Sequence, residues 1–418
     1  MRVVLSYLGV RAVRGALAAA ALAVVLPTSA AATNDRALLR AAPAVPTSIF
    51  AGEWATFKRR FVRADGRVVD IEKSGKSHSE SQSYGMLLAV KANDRATFDK
   101  ILSFTFNEMR ARNDHLVSWL YNPAASPPVA DTNNASDGDI MIAYGLLKAG
   151  LKWDEPRYVA LATPMIDDIG RLLLHRRDDM VLLRPGAFGF DERHHYDGPV
   201  VNLSYYIYGA LLMFEAVNDR HPFLEAWQSG LMLTEEAVAR SNGHAPDWIT
   251  MRDDRALRPA EGFAKKSSYD AVRIPLFMAL GGRVPPRYLA PFDRAWNLAG
   301  NGVPQDRDLA TGRKLMDMND LGYRAIAALT ACAVRGVPIP ARLQRYQNTT
   351  YFSSALHLLA LSAAREHYPN CVGAPNPPAI IASDRPTPVL VGSTRPRDTL
   401  PTRATQVSQR GQATSVLY

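Results

Sequence analysis

The stretch ASDGDIMIAYGLLKAGLKW, residues 135–153, carries the most structural information in this chain. Two carboxylates, Asp137 and Asp139, stand at its start, and apolar residues then recur at helical spacing. Two further segments share the layout of an acidic residue in a polar setting next to an apolar run. They are SHSESQSYGM, residues 77–86, and SSYDAVR, residues 267–273. Because the three segments lie far apart in sequence, any chemistry that they share must be assembled by the fold.

The spacing of apolar residues predicts one large all-α domain. Strand-like alternation is limited to 68–71 and 180–183, which predict short hairpins. No linker rich in Pro, Gly and Ser divides this domain. Functional residues are expected in its two long aromatic loops, 113–136 and 181–203. About twelve stretches have helical periodicity. They lie near 49–62, 82–92, 95–112, 137–150, 156–176, 204–218, 222–241, 268–280, 286–300, 319–335, 339–347 and 350–366.

Both ends of the chain differ from the domain, which we place at 47–371. Residues 1–32 predict an export signal, because three arginines precede an apolar stretch of 11 residues that is too short to span a bilayer. Residues 372–418 contain seven Pro and ten Ser or Thr and predict a disordered tail. We therefore expect an exported protein, periplasmic or secreted, with no membrane span after signal removal.

The formal net charge of +9 does not indicate a nucleic-acid partner once it is located in the chain. Residues 1–32 hold +3 and residues 372–418 hold another +3, so the remaining residues, 33–371, hold only +3. That value is ordinary for a soluble domain of this size.

Two cysteines, Cys332 and Cys371, are too few for a disulfide framework. Cys332 lies in the apolar run 325–334, which favours a buried thiol. A single bridge is the alternative in an oxidising compartment. From the sequence we expect two free thiols.

Converging carboxylates with no metal-ligand spacing around them favour paired acid and base chemistry, as in the hydrolysis of glycosides. Residues 135–143, followed by Ala149 and Trp153, resemble the signature of glycoside hydrolase family 8, with Gly145 where the family has Ser or Ala. Residues 79–86 resemble the family's segment around the general acid, and 267–273 its segment around the general base. Residues 202–205 and 246–248 continue the match in the expected order, so the resemblance runs from about 54 to 368.

This resemblance implies an (α/α)6 barrel of about twelve helices, a substrate cleft at one rim and an inverting mechanism. Within the family, the chain resembles the periplasmic endo-β-1,4-glucanases that accompany bacterial cellulose synthesis. The partner implied is a β-glucan polysaccharide, with a loose association with a cellulose-secretion machinery as a further expectation. No cofactor and no metal are implied.

Glu80 is predicted to lie just before a helix that begins near Ser81. A carboxylate there can simply stabilise the helix N-terminus. The resemblance implies instead that Glu80 is the general acid, which requires a raised pKa. The helix N-terminus opposes such a shift, so burial and a nearby carboxylate such as Asp137 would have to supply it.

Asp137 and Asp139 are two residues apart at a helix start, where capping is the alternative role. Side chains two apart on a helix point in different directions, so we expect only one to face a sugar. The resemblance implies that Asp137 holds the hydroxyls of the reacting sugar and keeps Glu80 protonated. Asp139 is then structural.

Asp270 precedes Arg273 by three residues, so the two can share a helix face and form an ion pair. An ordinary surface pair is the alternative. A base must stay ionised, and a neighbouring guanidinium favours the charged form. The resemblance implies that Asp270 activates the water, that Arg273 orients it and that Tyr205 lies near it.

Sugar rings bind flat aromatic faces because the C–H face of a β-linked glucan is apolar. Trp119, Tyr121 and Trp248 lie in predicted loops near the motifs and are the expected platforms, with core packing as the alternative. The other tryptophans are expected in the core: Trp54, Trp153, Trp227 and Trp296. The pair His194-His195 matches no familiar metal-ligand pattern.

The function expected from these residues is that of an inverting endo-β-1,4-glucanase acting on amorphous or soluble cellulose. The same machinery acting on xylan, chitosan or mixed-linkage glucan is the enzymatic alternative. A non-catalytic glucan-binding protein is the alternative from another class, although such a protein would need neither Glu80 nor Asp270. A polysaccharide lyase is disfavoured, since it would require a Tyr, His or Lys base.

Overall fold

A computed structural model describes residues 45–252 and 256–373 of the 418-residue chain. The predicted export signal, 1–32, and nearly all of the predicted tail, 372–418, lie outside the described residues. Twelve α-helices are found within the described ranges. They are α1 (Ala51–Phe61), α2 (Ser79–Lys91), α3 (Arg95–Glu108), α4 (Ser136–Trp153), α5 (Pro156–Leu173), α6 (Tyr208–Val217), α7 (Phe223–Arg240), α8 (Arg273–Leu280), α9 (Ala290–Gly300), α10 (Leu321–Arg335), α11 (Ala341–Gln344) and α12 (Tyr351–His367).

The even-numbered helices form a closed inner ring. Helix α2 packs on α4, α4 on α6, α6 on α8, α8 on α10, α10 on α12, and α12 returns to α2. The odd-numbered helices lie outside: α1 packs on α12, α3 on α2, α5 on α4, α7 on α6, and α9 and α11 on α10. This arrangement is the (α/α)6 barrel that the family resemblance implied, and its helix count agrees with the apolar spacing of the sequence.

Burial follows from the position of each helix in the two layers. Every residue of inner helix α8 is buried, and so is every residue of α2 except Glu80. Outer helix α3 buries one face only, at Phe98, Ile101, Leu102 and Thr105 among others, which is the spacing of an amphipathic helix. These two inner helices are therefore enclosed by the rest of the barrel on all sides.

The helix starts show the capping that their sequences indicate. Asp94 accepts a hydrogen bond from the backbone N–H of Thr97 at the start of α3, and Pro156 occupies the first position of α5. The predicted helix at 339–347 shortens to Ala341–Gln344, because Pro338 and Pro340 disfavour helix before them.

Short strands cover the rim of the barrel. They are β1 (Ser77–His78), β2 (Leu120–Tyr121), β3 (Leu174–Arg177), β4 (Met180–Leu183), β5 (Val200–Val201), β6 (Ile249–Met251), β7 (Leu257–Pro259), β8 (Lys266–Ser267), β9 (Gln305–Asp308) and β10 (Lys314–Asp317). Strand β4 pairs with β3 in the hairpin predicted at 180–183. Residues 68–71 form only isolated bridges, Val62 with Val68 and Asp70 with Lys76.

The prediction of two free thiols is wrong, since Cys332 and Cys371 form a disulfide. The apolar run does bury Cys332, at the end of α10, as predicted. However, the turn after α12 brings Cys371 beside it, and that proximity of two helix ends has no signal in local sequence. The prediction that four tryptophans belong to the core agrees with the structure. Trp54 and Trp296 are buried, and Trp153 and Trp227 are partly buried and pack against the core.

Candidate active site

The starts of α2 and α4 bring Glu80 and Asp137 together. Each is the second residue of its helix, and the two helices are neighbours in the inner ring. Gly138 permits this contact, because a Cβ atom there would lie 2.2 Å from Ser79 Oγ. Glu80 thus lies inside the first turn of α2, because the helix begins two residues earlier than the sequence predicted.

Asp270 and Arg273 enter the same region from a turn before α8. The predicted helix 268–280 begins only at Arg273, and residues 268–272 form turns in which Arg273 N–H donates to the carbonyl of Asp270 at 3.0 Å. The two side chains form the predicted ion pair.

Arg273 joins all three carboxylates. Its Nη1 donates to Glu80, to Asp137 Oδ2 at 3.2 Å and to the hydroxyl oxygen of Tyr84 at 3.1 Å, while Nη2 donates to Asp270. The side chains of Arg273 and Asp137 are only 3% and 6% exposed, whereas those of Glu80 and Asp270 are 20% and 24% exposed. The structure therefore brings Glu80 and Asp270 to the surface of the cleft, above a buried guanidinium and a buried carboxylate.

The electrostatics of the cluster favour a protonated Glu80. Burial is the main cause that raises its pKa, the charges of Asp137 and Asp270 raise it further, and the guanidinium of Arg273 opposes them. Burial also raises the pKa of Asp137, against Arg273 and a 2.8 Å hydrogen bond from the backbone N–H of Gly138.

Asp139 points away from this cluster, as expected for a structural residue. It accepts hydrogen bonds from the backbone N–H of Val117 at 2.9 Å and from Asn134 Nδ2 at 2.8 Å. Burial raises the pKa of Asp139 to about 7 in spite of these bonds. Asp139 thus ties the loop before α4 to the segment that leads into β2.

The six inner helices all begin at this rim. Tyr205 lies in a short turn before α6 and is buried, with the guanidinium of Arg273 5.8 Å from its ring centroid. The same guanidinium lies 5.6 Å from the ring of Phe352 at the start of α12. Tyr323, at the start of α10, contacts both Phe352 and Tyr269. The cluster therefore lies where the inner ring opens.

Of the three expected platforms, Trp119 and Tyr121 are half-buried and lie on the segment that pairs with residues 77–79, just before Glu80, and the ring of Tyr121 packs edge-on against Phe104. The carbonyl of Trp119 accepts the backbone N–H of Ser79 at 2.9 Å, and its ring stacks on His78. Tyr121 pairs with Ser77 across strands β1 and β2.

The packing of Trp248 favours the alternative role, that of a core residue. Only 7% of this residue is exposed, and its ring stacks on Phe263, with centroids 4.6 Å apart, and on Phe190 at 6.1 Å. Tyr205 meets it edge-on. Trp248 is a packing residue behind Tyr205, and local sequence gave no signal of these three distant rings.

Two residues of the site were not singled out from sequence. Tyr84 lies four residues after Glu80, a helical spacing that could have indicated its place beside Arg273. Asp247 accepts hydrogen bonds from the backbone of the turn that carries Asp270. Only the fold reveals that contact, because 23 positions separate the two residues.

The histidine pair lies in the loop between β4 and β5, within the described ranges 45–252 and 256–373. His194 contacts Asp191, and His195 contacts the carbonyl of Gly189. Within these ranges no group of three or more His, Cys, Asp and Glu side chains is arranged to hold a metal ion. None of the helices there combines the length and apolar character that crossing a bilayer requires.

Comparison with known proteins gives a consistent result. The family model described as Glycosyl hydrolases family 8 matches residues 12–366. A probable endoglucanase of Novacetimonas hansenii is 35% identical over 319 residues, which cover 76% of this chain and 91% of that protein. An endoglucanase of Escherichia coli strain K12 is 31% identical over 313 residues, covering 69% and 79%.

Among solved structures, the endo-beta-1,4-glucanase CMCax of Acetobacter xylinum matches with a TM-score of 0.68 and 34% identity, covering 76% of this chain and 98% of that one. The matched length, the ring of helices and the carboxylate cluster agree. The chain is a glycoside hydrolase and belongs to glycosyl hydrolases family 8.

Proposed function

We propose that this glycoside hydrolase is an inverting endo-β-1,4-glucanase that cuts internal bonds of amorphous or soluble cellulose. One observation carries the proposal: the partly exposed carboxyl groups of Glu80 and Asp270 contact different nitrogens of one buried guanidinium, that of Arg273. Two carboxyl groups held apart at one cleft are the requirement for glycoside hydrolysis. The names of the similar proteins support the choice of a β-1,4-glucan.

Glu80 acts as the general acid. Its raised pKa keeps a proton on the carboxyl group near neutral pH, and this proton passes to the glycosidic oxygen as the bond to the leaving sugar breaks. Asp137 contributes in two ways. Its buried charge raises the pKa of Glu80, and its carboxylate binds hydroxyl groups of the reacting sugar.

Asp270 acts as the general base. It takes a proton from a water molecule that attacks the anomeric carbon from the face opposite the leaving group, which inverts the configuration. Arg273 orients Asp270 through their ion pair, and Tyr205 lies close enough to this guanidinium to help fix the water.

The chain of sugars extends along the rim from this point. Trp119 and Tyr121 are partly exposed aromatic residues on the segment that pairs with the residues just before Glu80, and aromatic faces suit the apolar face of a β-linked sugar. Platforms beside the acid, on an open rim, fit a polymer that is cut internally.

The wider setting is part of the same proposal. Residues 1–32 direct export, to the periplasm or beyond the cell, residues 47–371 form the catalytic domain, and residues 372–418 are dispensable for activity. A role in bacterial cellulose synthesis, with loose association with its secretion machinery, is the setting that the resemblance favours.

A reducing-end assay tests the proposal, with carboxymethylcellulose, xylan, chitosan and lichenan compared side by side. We expect carboxymethylcellulose to be cut with a rapid fall in viscosity, as internal cleavage produces. Activity confined to xylan, chitosan or lichenan would instead establish the enzymatic alternative. Binding of carboxymethylcellulose without cleavage of any of the four polymers would favour a glucan-binding protein.

A further inference from the structure

Asp247 lies beside the turn that carries Asp270. The backbone N–H of Asp247 donates to the carbonyl of Lys266 at 2.8 Å, which fixes residue 247 next to strand β8. From there its side chain reaches over the following turn, 268–271, and a single oxygen, Oδ1, accepts the backbone N–H of Ser268 at 2.8 Å and that of Ala271 at 2.9 Å.

These two bonds satisfy donors at the start of a helical turn. In that turn Val272 N–H donates to the carbonyl of Ser268 at 3.0 Å, and Arg273 N–H donates to that of Asp270 at 3.0 Å. The N–H groups that begin a helical turn have no partner within it, so a side-chain acceptor normally supplies one. Here the acceptor comes from another part of the chain.

We infer that Asp247 is a positioning residue, which holds the 268–271 turn so that the carboxyl group of Asp270 meets both Arg273 and the attacking water. The inference rests on the proposed role of Asp270. A displacement of about 1 Å at a reacting group can lower the rate by about a hundredfold. Loss of the acceptor at 247 is therefore expected to act on kcat.

The role requires an acceptor oxygen and not a charge. Burial raises the pKa of Asp247, and the charge of Asp270 adds to the shift. An asparagine keeps an oxygen that can accept both N–H groups. Asp247→Asn is therefore expected to retain function, whereas Asp247→Ala removes the acceptor altogether.

The test compares the full chain with Asp247→Ala, Asp247→Asn and a matched control, Asp293→Ala. Asp293 is a buried carboxylate of α9 that pairs with Arg335, so its loss also destabilises the protein, but on an outer helix. Measurements are kcat and KM on carboxymethylcellulose, with thermal unfolding followed by circular dichroism. We expect kcat of Asp247→Ala to fall about 10- to 100-fold with KM changed less than about threefold. We expect kcat near the wild-type value in Asp247→Asn and Asp293→Ala.

Three results overturn the inference. The first is an unchanged kcat in Asp247→Ala. The second is an equal loss of kcat in Asp247→Asn, which would indicate that the charge or a direct sugar contact matters. The third is an equal loss of kcat in Asp293→Ala, which would indicate general destabilisation. If Asp247→Ala does not fold, the comparison of Asp247→Asn with Asp247→Ser takes its place. Serine is too short to reach both N–H groups, so Asp247→Ser must lower kcat, whereas Asp247→Asn must not. Inactivity of the wild-type chain on carboxymethylcellulose would instead reject the proposed function.

Discussion

Arg273 determines the geometry of the cluster at the residue scale. Its guanidinium is 3% exposed and is surrounded by three carboxylates, so removal of any one partner leaves charge less well compensated. The carboxylates divide by exposure: the side chains of Glu80 and Asp270 are 20% and 24% exposed, and that of Asp137 is 6% exposed. This division fits two groups that act at the scissile bond and a third, more deeply placed, that supports Glu80 and keeps a small exposed area for a sugar hydroxyl.

Removal of the acid or the base should abolish most turnover without unfolding the protein. We expect Glu80→Gln and Asp270→Asn each to lose roughly 10²- to 10⁴-fold in kcat, the range for one acid or base group. Glu108→Gln, an exposed carboxylate at the end of α3, is the matched control and should keep wild-type kcat. Near-normal activity in either site variant, with unchanged helical circular dichroism, would exclude that residue from the mechanism.

Removal of the charge at 137 should move the pH profile. Because the negative charge of Asp137 raises the pKa of Glu80, Asp137→Asn lowers that pKa. The acid works only while protonated, so its activity is lost at a lower pH than in the wild type. We expect the alkaline limb of kcat/KM, measured on the residual activity, to shift to lower pH. An alkaline limb that stays in place would contradict the coupling.

At the element scale, the contact between the starts of α2 and α4 depends on one missing side chain. Gly138 lies against Ser79, whereas Gly145, two turns later on the same helix, has its nearest neighbour, Met86 Cβ, at 3.8 Å from a built Cβ position. These two glycines, out of three in α4, therefore differ in what a methyl group would meet.

Substitution of these two glycines should have opposite effects. Gly138→Ala forces α2 and α4 apart and is expected to destabilise the fold by about 1–3 kcal/mol and to lower kcat. Gly145→Ala fits without overlap and should stabilise the fold by about 0.5–1 kcal/mol through helix propensity. Thermal unfolding and kcat of the two variants check this. Equal melting temperatures for both would show that the close approach at Gly138 has no energetic importance.

Sequence periodicity predicted the existence of all twelve helices but not all of their starts. The predicted starts of α6 and α8, at 204 and 268, lie before the observed starts, Tyr208 and Arg273. In both cases a side chain accepts hydrogen bonds from backbone N–H groups that precede the helix. Asn202 accepts the N–H of Ser204 at 3.0 Å, and Asp247 accepts two N–H groups of the turn before α8. Periodicity reports which face is buried, and it does not report acceptors supplied from elsewhere in the chain.

At the scale of the whole molecule, closure of the inner ring explains why three distant acidic segments meet. Each segment stands at or just before the start of an inner helix, and the inner helices begin at one rim. Local patterns predicted these helix starts individually. That the three segments meet was predicted only by the family resemblance, because ring closure depends on contacts between elements far apart in sequence. The disulfide was missed for the same reason.

The disulfide should contribute to stability and leave catalysis unaffected. Cys332 and Cys371 lie 39 residues apart, and the bond joins the ends of α10 and α12 that are remote from the rim. Closing a loop of that length is worth about 2–4 kcal/mol. We expect the double variant Cys332→Ala/Cys371→Ala to melt at a lower temperature and to keep wild-type kcat well below its melting temperature. A loss of kcat in the folded variant would mean that this end of the barrel affects the site.

The stereochemistry of the product tests the central claim, that Asp270 acts on a water and Glu80 on the leaving group. In an inverting pair the two carboxyl groups lie roughly 6.5–9.5 Å apart, which leaves room for the attacking water. In a retaining pair they lie roughly 5–5.5 Å apart. Proton NMR of a cello-oligosaccharide digest, recorded before mutarotation, identifies the first anomer formed. Inversion at the anomeric carbon is expected to give an α-configured reducing end from the β-linked substrate. An initial β-anomer, or a glycosyl group trapped on Asp270, would make that residue a nucleophile and contradict the mechanism.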